Sequence, residues 1–365
     1  MENLPLTEAA RLYLVPLGLN RSLGDEPGVF ATLAGGRRIG AWEVVIRDGG
    51  KIQKTALTPA ALQDWRVRQP VEIRTRIDEL IQRFTGPRPN GQGLPLSTPA
   101  LMGIVNATPD SFSDGGEHGD AEAAIAHGRR LAEAGARILD IGGESTRPGA
   151  APVAPEEEIR RVLPVIQGLQ DLRRQTPKIA LSIDTRHGSV MRAALAAGID
   201  IINDVSALTG DPSLSIAAAS AADIVLMHMQ GEPQTMNLAP VYVDVSLDVF
   251  DYLEGRIEAC RAAGIQRHRL IVDPGIGFGK QGPENLAVLR NLALFHGLGC
   301  PVLLGASRKG FGDSTQALAP KDRLPTSLAA AIVALAQGAL ILRVHDVAET
   351  RQALDIWRQI DGGTG

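Results

Sequence analysis

The sequence predicts an α/β fold, a (β/α)8 TIM barrel preceded by a small α+β N-terminal extension. From Leu101 onward, short apolar runs alternate with longer amphipathic ones, the pattern of repeated βα units. Eight such units fit the usual length of this barrel, about 250 residues. Most of the short runs also end in polar residues. Such ends converge on one face of a barrel, whereas the alternative, an open doubly wound sheet, would spread them along an edge.

The extension is predicted over residues 1–97 and the barrel over 98–365. The first segment is mixed and polar, and it ends in a stretch rich in Pro and Gly, residues 85–96, that is typical of a boundary. Apolar spacing in the extension predicts two strands and two helices, over 11–16, 41–47, 59–65 and 71–84. No motif in the extension indicates a role for it.

The barrel elements follow in chain order. Its eight strands are predicted over 101–106, 138–143, 179–184, 199–204, 223–228, 270–274, 301–305 and 339–345. Helices rich in Ala, Leu, Glu and Arg suit the outer ring. Those with predicted bounds cover 121–134, 156–174, 189–197, 247–263, 327–337 and 349–360.

Charge and cysteine content exclude several classes of protein. With 37 Lys and Arg against 41 Asp and Glu, the net charge is −4, so no basic face for nucleic acid is expected. Cys260 and Cys300 form neither a disulfide framework nor a zinc site. No apolar run reaches a membrane span of about 18 residues, and no signal-peptide core is present. A cytoplasmic protein without nucleic-acid or membrane partners is expected.

Polar side chains end most of the predicted barrel strands. They are Asn106, Asp140, Asp184, Asn203, Asp204, His228, Asp273, Ser307, Arg308, Lys309, Arg343 and His345. A buried carboxylate accepts two parallel N–H bonds, and an Asn serves one donor and one acceptor. Asp184, Asn203 and Asp273 therefore indicate a flat, nitrogen-rich ring as ligand, although each alone also suits the cap of the next helix.

Cationic side chains indicate an anionic ligand. Arg147, Arg308, Lys309, Arg343 and His345 lie on the predicted loops after strands two, seven and eight. Arginine forks suit phosphate oxygens, and these loops of the barrel frequently hold phosphate. A phosphate or diphosphate group is therefore predicted, with solvated surface charge as the alternative for each residue alone.

Two long loops, residues 106–116 and 142–149, are rich in small and hydroxyl residues and suit closure over a substrate. Asn106 beside a diphosphate suits Mg²⁺, an ion that takes few protein ligands. His228 either lines the site or packs at its strand end. The glycine-rich run 273–280 fits neither a Walker A loop nor a dinucleotide fingerprint.

At these residues the sequence resembles the dihydropteroate synthases of the folate pathway. Seven motifs carry the resemblance, at residues 102–116 (MGIVNATPDSFSDGG), 140–149 (DIGGESTRPG), 182–185, 202–206, 273–280, 307–309 and 343–346. They occur in order and without a missing unit. The strand-seven motif, Gly305-Ala-Ser-Arg-Lys-Gly, departs from the family's common residues before Ser307 and after Lys309, but it retains Ser307, Arg308 and Lys309.

The resemblance implies the activity, the cofactor and the site residues. The family joins p-aminobenzoate to hydroxymethyl-dihydropterin diphosphate, releases pyrophosphate and uses Mg²⁺. The implied pterin ligands are Asp184, Asn203, Asp273 and Lys309. The implied diphosphate and Mg²⁺ site comprises Asn106, the metal ligand, with Thr146, Arg343 and His345. The implied p-aminobenzoate side comprises Pro148, Phe278 and Ser307. The residues implied to close the loops are Phe112, Asp114 and Arg147. Catalytic roles are implied for Lys309, Arg343, His345, Arg147 and Asp114.

Two rival functions remain at this stage. A pterin-binding methyltransferase could share Asp184, Asn203 and Asp273, but it would not need Lys309 or the 145–149 loop. A catalytically silent pterin-binding paralogue would have lost ligands, and none of the expected ones is missing. Since members of the resembled family are usually dimers, a homodimer is expected.

Overall fold

The computed structural model describes residues 10–19, 31–33, 36–88, 96, 98–107, 116–144, 152–176, 179–231, 236, 240–312, 315 and 317–361. Five residues with implied roles lie outside this part of the chain: Phe112, Asp114, Thr146, Arg147 and Pro148. Within it, a small sheet and two helices precede eight parallel strands with surrounding helices. The predicted barrel with an α+β extension is confirmed.

The extension is built around a three-stranded antiparallel sheet. Its elements are β1 (Arg11–Leu17), β2 (Ala31–Thr32), β3 (Arg38–Ile39), β4 (Ala41–Asp48), β5 (Lys51–Leu57), α1 (Pro59–Arg66) and α2 (Val71–Thr85). β4 lies between β1 and β5, and β2 pairs with β3. The predicted β1, β4, α1 and α2 are confirmed. β5 was not predicted, because every side chain in it is at least partly exposed and its sequence has no apolar run.

The eight barrel strands lie where the sequence predicts them, and each strand end differs from its predicted position by two residues or fewer. They are β6 (Ala100–Asn106), β7 (Ile138–Gly142), β8 (Ala180–Asp184), β9 (Ile201–Asp204), β10 (Asp223–Met227), β11 (Leu270–Asp273), β12 (Leu303–Leu304) and β13 (Ile341–Val344). Neighbours pair in parallel in the order β11-β10-β9-β8-β7-β6-β13-β12. A parallel bridge between Val272 and Val302 joins the two ends of this order, so the barrel closes.

The helices pack around the strands as the outer layer. They are α3 (Gly116–Glu133), α4 (Pro155–Gln175), α5 (Gly188–Ala196), α6 (Ser213–Ala219), α7 (Val245–Ala262), α8 (Gly282–Arg290), α9 (Leu324–Ala336) and α10 (Val347–Ile360). The bounds of α6 and α8 were not predicted from the sequence. No described helix is apolar over a length sufficient to cross a bilayer.

An apolar layer fills the lower interior of the barrel. Each strand contributes at least one residue to it: Ala100 and Met102 from β6, then Ile138, Ala180, Ile201, Val225, Ile271, Leu303 and Ile341. Leu96 packs against the same layer, although it precedes the first barrel strand. The barrel interior is therefore a packed core below the level of the strand ends.

The extension packs against α7 through a network of arginines and carboxylates. Glu254 accepts hydrogen bonds from three arginine side chains: Arg11, Arg76 and Arg83. One turn earlier, Asp251 accepts from Tyr13 at 2.9 Å and from Arg47 at 2.7 Å. We call these residues the junction network. It fixes the position of the extension on the outside of the barrel.

Candidate active site

Strand periodicity places the polar residues directly above the apolar layer. Side chains two residues apart on a strand point to the same side. Asn203 therefore follows the inward Ile201, Asp273 follows Ile271, and Arg343 follows Ile341. By the same rule, Asp140 and Asp184 stand above Ile138 and Ala180. The polar ends thus meet at the mouth of the barrel, as the sequence predicts for a barrel and not for an open sheet.

Arg343 is the centre of a buried network at this mouth. Its Nε donates to Asp140 Oδ2 at 2.7 Å, and its Nη2 donates to Asp184 Oδ2 at 2.6 Å. Asn203 Nδ2 donates to the same Asp140 oxygen at 3.0 Å. We call Arg343, Asp140, Asp184 and Asn203 the mouth network. It fixes the positions of two predicted ligands, Asp184 and Asn203.

The charges of the mouth network are unevenly matched, because two carboxylates share one guanidinium. Burial raises the pKa of Asp184; the charge of Arg343 opposes this shift and that of Asp140 adds to it. Burial would lower the pKa of Arg343, but Asp140 and Asp184 outweigh it and the pKa lies above its usual value. Arg343 therefore stays charged, and Asp184 keeps acceptor capacity for a ligand with N–H groups.

Asp140 has no assigned role in the sequence-based prediction, yet it holds both Arg343 and Asn203. Its side chain is fully buried, and its Oδ1 has no hydrogen-bond partner among the described residues. The signal in the sequence is an Asp between Leu139 and Ile141, inside an otherwise apolar run. A buried carboxylate inside a strand requires a partner, and here that partner is 203 residues away.

The glycine-rich loop after β11 brings Asp273 and Lys280 close to the mouth. Gly275, Gly277 and Gly279 all have positive φ, 70°, 78° and 61°. A Cβ on Gly275 would lie 1.9 Å from the backbone oxygen of His228, so only glycine fits there. The Gly275 N–H donates to Asp273 Oδ1 at 2.7 Å. Gly275 therefore helps to orient the Asp273 carboxylate.

Lys280 fills the inside of this loop and was not predicted as a functional residue. Its Nζ lies 2.8 Å from His228 Nδ1 and donates to the backbone oxygens of Gly275 and Phe278 at 2.9 and 3.0 Å. Burial lowers its pKa to about 7, with Asp273 opposing the shift. Burial, with the charge of Lys280, lowers the pKa of His228 to about 2, so this histidine is neutral. His228 is thus a packed strand-end residue.

Lys309 lies between the glycine loop and the mouth network. Its Nζ is 4.3 Å from the centre of the Phe278 ring and donates to the backbone oxygen of Ile276 at 2.5 Å. Burial lowers the pKa of Lys309 to about 8; Asp273 opposes this shift and Arg343 adds to it. The structure therefore brings together Asp273, Phe278 and Lys309, three residues with implied roles.

The ends of β12 and β13 add a hydroxyl and an imidazole. Ser307 Oγ lies 3.1 Å from His345 Nδ1 and accepts from the His345 backbone N–H at 3.2 Å. Arg308, predicted among the phosphate-facing cations, instead has positive φ, 60°, and pairs with Asp346, at 3.0 Å from Nε to Oδ2. Arg308 thus joins two loops. Asn106 ends β6 in register with Gly142.

Comparison with known proteins defines the class. Residues 102–345 match the family of pterin binding enzymes. That match covers most of the barrel and begins after the extension. The fold, the mouth network and this match together define a pterin-binding barrel enzyme.

Individual relatives narrow the class further. The chain is 45% identical over 266 residues to the dihydropteroate synthase of Escherichia coli, which covers 73% of this chain and 93% of that protein. The structure of Xanthomonas albilineans dihydropteroate synthase with 4-aminobenzoic acid is 50% identical, covers 74% of this chain and 95% of that one, and superposes with a TM-score of 0.68. The same enzyme in complex with 7,8-dihydropteroate is 48% identical over 74% and 97% of the two chains, with a TM-score of 0.66. The chain belongs to the dihydropteroate synthase family, whose members are transferases.

Proposed function

We propose that the mouth of the barrel binds hydroxymethyl-dihydropterin diphosphate and p-aminobenzoate and joins them into dihydropteroate with release of pyrophosphate. The observation that carries this proposal is the convergence of Asp184, Asn203, Asp273 and Lys309 around Arg343 at the mouth of the barrel. The bound 4-aminobenzoic acid and 7,8-dihydropteroate of the Xanthomonas albilineans structures support the two substrate classes. This reading is favoured over a methyltransferase or a silent paralogue.

The pterin ring is assigned to Asp184, Asn203, Asp273 and Lys309. Asn203 donates through Nδ2 to Asp140, so its side-chain oxygen remains to accept a hydrogen bond from the ring. Asp273 accepts from the Gly275 N–H through Oδ1, so its Oδ2 remains to accept from a ring N–H. Lys309 is a donor to a ring acceptor. Together these groups match a heterocycle that carries adjacent donors and acceptors.

The diphosphate is assigned to Arg343 and His345, with Thr146 beyond the described residues. Arg343 commits Nε and Nη2 to carboxylates and makes no hydrogen bond through Nη1 to a described residue. Asn106, half-buried at the strand end, offers a hard amide oxygen of the kind that Mg²⁺ accepts. The donor set therefore fits Mg²⁺, which would neutralise charge on the diphosphate when bound.

The p-aminobenzoate side is assigned to Phe278 and Ser307, with Pro148. Because Lys309 lies over the Phe278 ring, this side adjoins the pterin side. Phe112, Asp114 and Arg147 are assigned to loop closure, which would exclude water from the reacting atoms. These three residues and Pro148 lie outside the described part of the chain.

The proposed reaction is a dissociative substitution. The bond between the pterin methylene carbon and the diphosphate oxygen breaks first, and the electron pair leaves with pyrophosphate. Arg343 and His345 offset the charge that develops on the leaving group. The arylamine nitrogen of p-aminobenzoate then attacks the methylene carbon and loses one proton. The conjugated ring, held by Asp184, Asn203 and Asp273, stabilises the cation between these steps.

The test is pyrophosphate release by the full chain from the pterin diphosphate with Mg²⁺, with and without p-aminobenzoate. Stoichiometric dihydropteroate is the expected result. Binding of the diphosphate without product would favour the silent paralogue, and binding of methyltetrahydrofolate alone would favour the methyltransferase. Normal turnover after joint replacement of Arg343 and His345 by neutral residues would contradict the proposed mechanism.

We also propose that the chain is a homodimer of the cytoplasm. Val333, Ile356 and Ile360 on α9 and α10 are 44%, 54% and 80% exposed, which leaves apolar area on the last two helices. Cys260 and Cys300 are both buried and unpaired, as a reducing compartment favours. Sedimentation of the purified chain tests the dimer, and a monomer at micromolar concentration would contradict it.

A further inference from the structure

Two glutamates and a histidine meet at a point that the proposed reaction does not use. Glu144 follows β7, Glu158 lies in the first turn of α4, and His187 directly precedes α5. His187 Nε2 is 3.8 Å from Glu144 Oε2 and 3.9 Å from Glu158 Oε2. One atom from each of the three side chains lies within 4.8 Å of the others. We call these residues the Glu–His cluster.

Glu158 is the buried member of the cluster. Its side chain has 0% exposure, and neither carboxylate oxygen has a partner at full hydrogen-bond geometry among the described residues. The Thr185 hydroxyl lies close enough to favour the charged carboxylate. The Nε2 atom of His187 is also buried and makes no hydrogen bond to a described residue. Because a buried carboxylate with so little compensation is costly, the arrangement points to a cation as ligand.

The backbone makes room for this carboxylate. A Cβ on Gly143 would lie 2.9 Å from Glu158 Cγ, so the glycine permits the close approach of α4 to the end of β7. Glu144 is oriented by Arg186, with contacts of 3.1 and 3.3 Å, and by the Val153 N–H at 3.2 Å. Such outer contacts are typical of carboxylates that bind metal ions.

The donor set selects the kind of ion. One imidazole nitrogen and two carboxylate oxygens suit Zn²⁺ and similar divalent transition metals. Two ligands at 2.0–2.1 Å from a tetrahedral Zn²⁺ stand about 3.3 Å apart. The two His–Glu pairs would therefore close by about half an ångström, and the two glutamate oxygens, which lie within 4.8 Å of each other, by up to about 1.5 Å. His187 also lines an open cleft together with Pro155 and Tyr252.

We propose that the Glu–His cluster binds one divalent transition-metal ion, with Zn²⁺ as the best match, through Glu144, Glu158 and His187. The site is distinct from the Mg²⁺ site proposed at Asn106 and does not depend on the proposed function. Since Glu144 also accepts from the Val153 N–H, the ion would help to fix the position of both residues.

The experiment uses the full chain, freed of metal and without substrate. Co²⁺ is the spectroscopic probe and Zn²⁺ the competitor, and one site with the visible absorption of low-coordinate Co²⁺ is expected. Glu158→Gln and His187→Gln should each weaken Zn²⁺ binding by about 100-fold, or about 2.7 kcal/mol. Glu156→Gln is the matched control, because Glu156 is exposed in the same turn of α4.

Each outcome of this experiment either supports or overturns the proposed metal site. Absence of a Co²⁺ or Zn²⁺ site, or binding that survives both substitutions, overturns it. His187 is partly exposed, so His187→Gln keeps the test decisive should Glu158→Gln fail to fold. Asn106→Ala should leave Zn²⁺ binding at the cluster intact. If the unaltered chain had no synthase activity, the proposed function would be contradicted but the metal site would not, since metal binding is measured without substrate.

Discussion

Carboxylates and arginines form two networks in this protein, and the two differ in their ratio of charges. At the mouth network, Asp140 and Asp184 share the single guanidinium of Arg343. At the junction network, one carboxylate, Glu254, accepts from three arginines and both of its oxygens are used. The mouth network therefore leaves carboxylate oxygens that can accept hydrogen bonds from a ligand, whereas Glu254 in the junction network has no oxygen left for one.

The pKa shifts express the same difference. Burial raises the pKa of Asp184 despite the charge of Arg343. Burial would also raise the pKa of Glu254, but Arg76 and Arg83 outweigh it and the pKa lies below its usual value. The second junction carboxylate, Asp251, does not follow Glu254, because burial raises its pKa despite the charges of Arg11 and Arg47. The contrast with the mouth therefore holds for Glu254, the carboxylate on which three arginines converge. Four experiments test how the mouth of the barrel differs from the junction in stability and catalysis.

The largest effect is expected at the centre of the mouth. Arg343→Gln should lower the free energy of unfolding by about 3–5 kcal/mol, because Asp140 and Asp184 would be buried without a cation. It should also lower kcat/KM by about 10³-fold, since a donor to the leaving group is lost. Pyrophosphate release and denaturant unfolding measure the two effects. Arg351→Gln, at an exposed pair with Asp355, is the control, and equal effects in both variants would contradict the role of Arg343.

The glycine loop should respond to a single methyl group. Gly275→Ala should lower the free energy of unfolding by about 3 kcal/mol, because positive φ and contact with the His228 oxygen both oppose it. Gly264→Ala also has positive φ, 90°, but nothing lies within 4 Å of its added Cβ, so about 1 kcal/mol is expected. Thermal or denaturant unfolding measures the loss of stability in each variant. Equal losses in Gly275→Ala and Gly264→Ala would show that the close approach to His228 does not affect stability.

The junction should affect stability and not catalysis. Glu254→Gln should lower the free energy of unfolding by about 2 kcal/mol, because three arginines lose their shared partner. It should leave kcat/KM near that of the unaltered chain, since the junction lies outside the barrel. Glu258→Gln, on the same helix and half-exposed, is the control and should cost less than about 1 kcal/mol. A large loss of kcat/KM in Glu254→Gln would refute the separation of the two networks.

The smallest effect is a pH dependence from Lys309. As its pKa is about 8, kcat/KM should fall above that pH, by nearly tenfold per unit, as the donor to the pterin is lost. Stability should change in the opposite direction: the unfolded chain, with a lysine pKa near 10.5, binds more protons between about pH 8 and 10.5, so stability rises there. In Lys309→Arg the fall in kcat/KM near pH 8 should disappear. A fall that persists in this variant would assign the titration to another group.

Much of the fold followed from local patterns. The eight strands and helices such as α4 and α10 were predicted because their apolar periods repeat over several residues. β5 was missed because its exposed side chains give no apolar period, and α6 and α8 were left without bounds. The extension's position on α7 had no local signal, since its contacts pair Arg11 with residues more than 200 positions away.

The candidate site divides in the same way. Asp184, Asn203, Asp273 and Arg343 were predicted as a group, because each ends a strand and the ends of barrel strands meet. Asp140 was predicted among the polar strand ends but without a role, and neither the role of Lys280 nor the pairing of Arg308 with Asp346 was predicted. Each depends on which side chain stands opposite, and strand order alone does not specify that.

The sequence by itself determined the barrel, the level at which polar groups meet, and the family to which the chain is similar. These properties depend on the two-residue period of strands and on contiguous motifs, both of which are local. Only the tertiary structure decided how charges are shared: one arginine between two carboxylates at the mouth, three arginines on Glu254, and an unpartnered Glu158 beside His187. The physical reason is that burial and electrostatic pairing depend on distances through space between residues far apart in the chain.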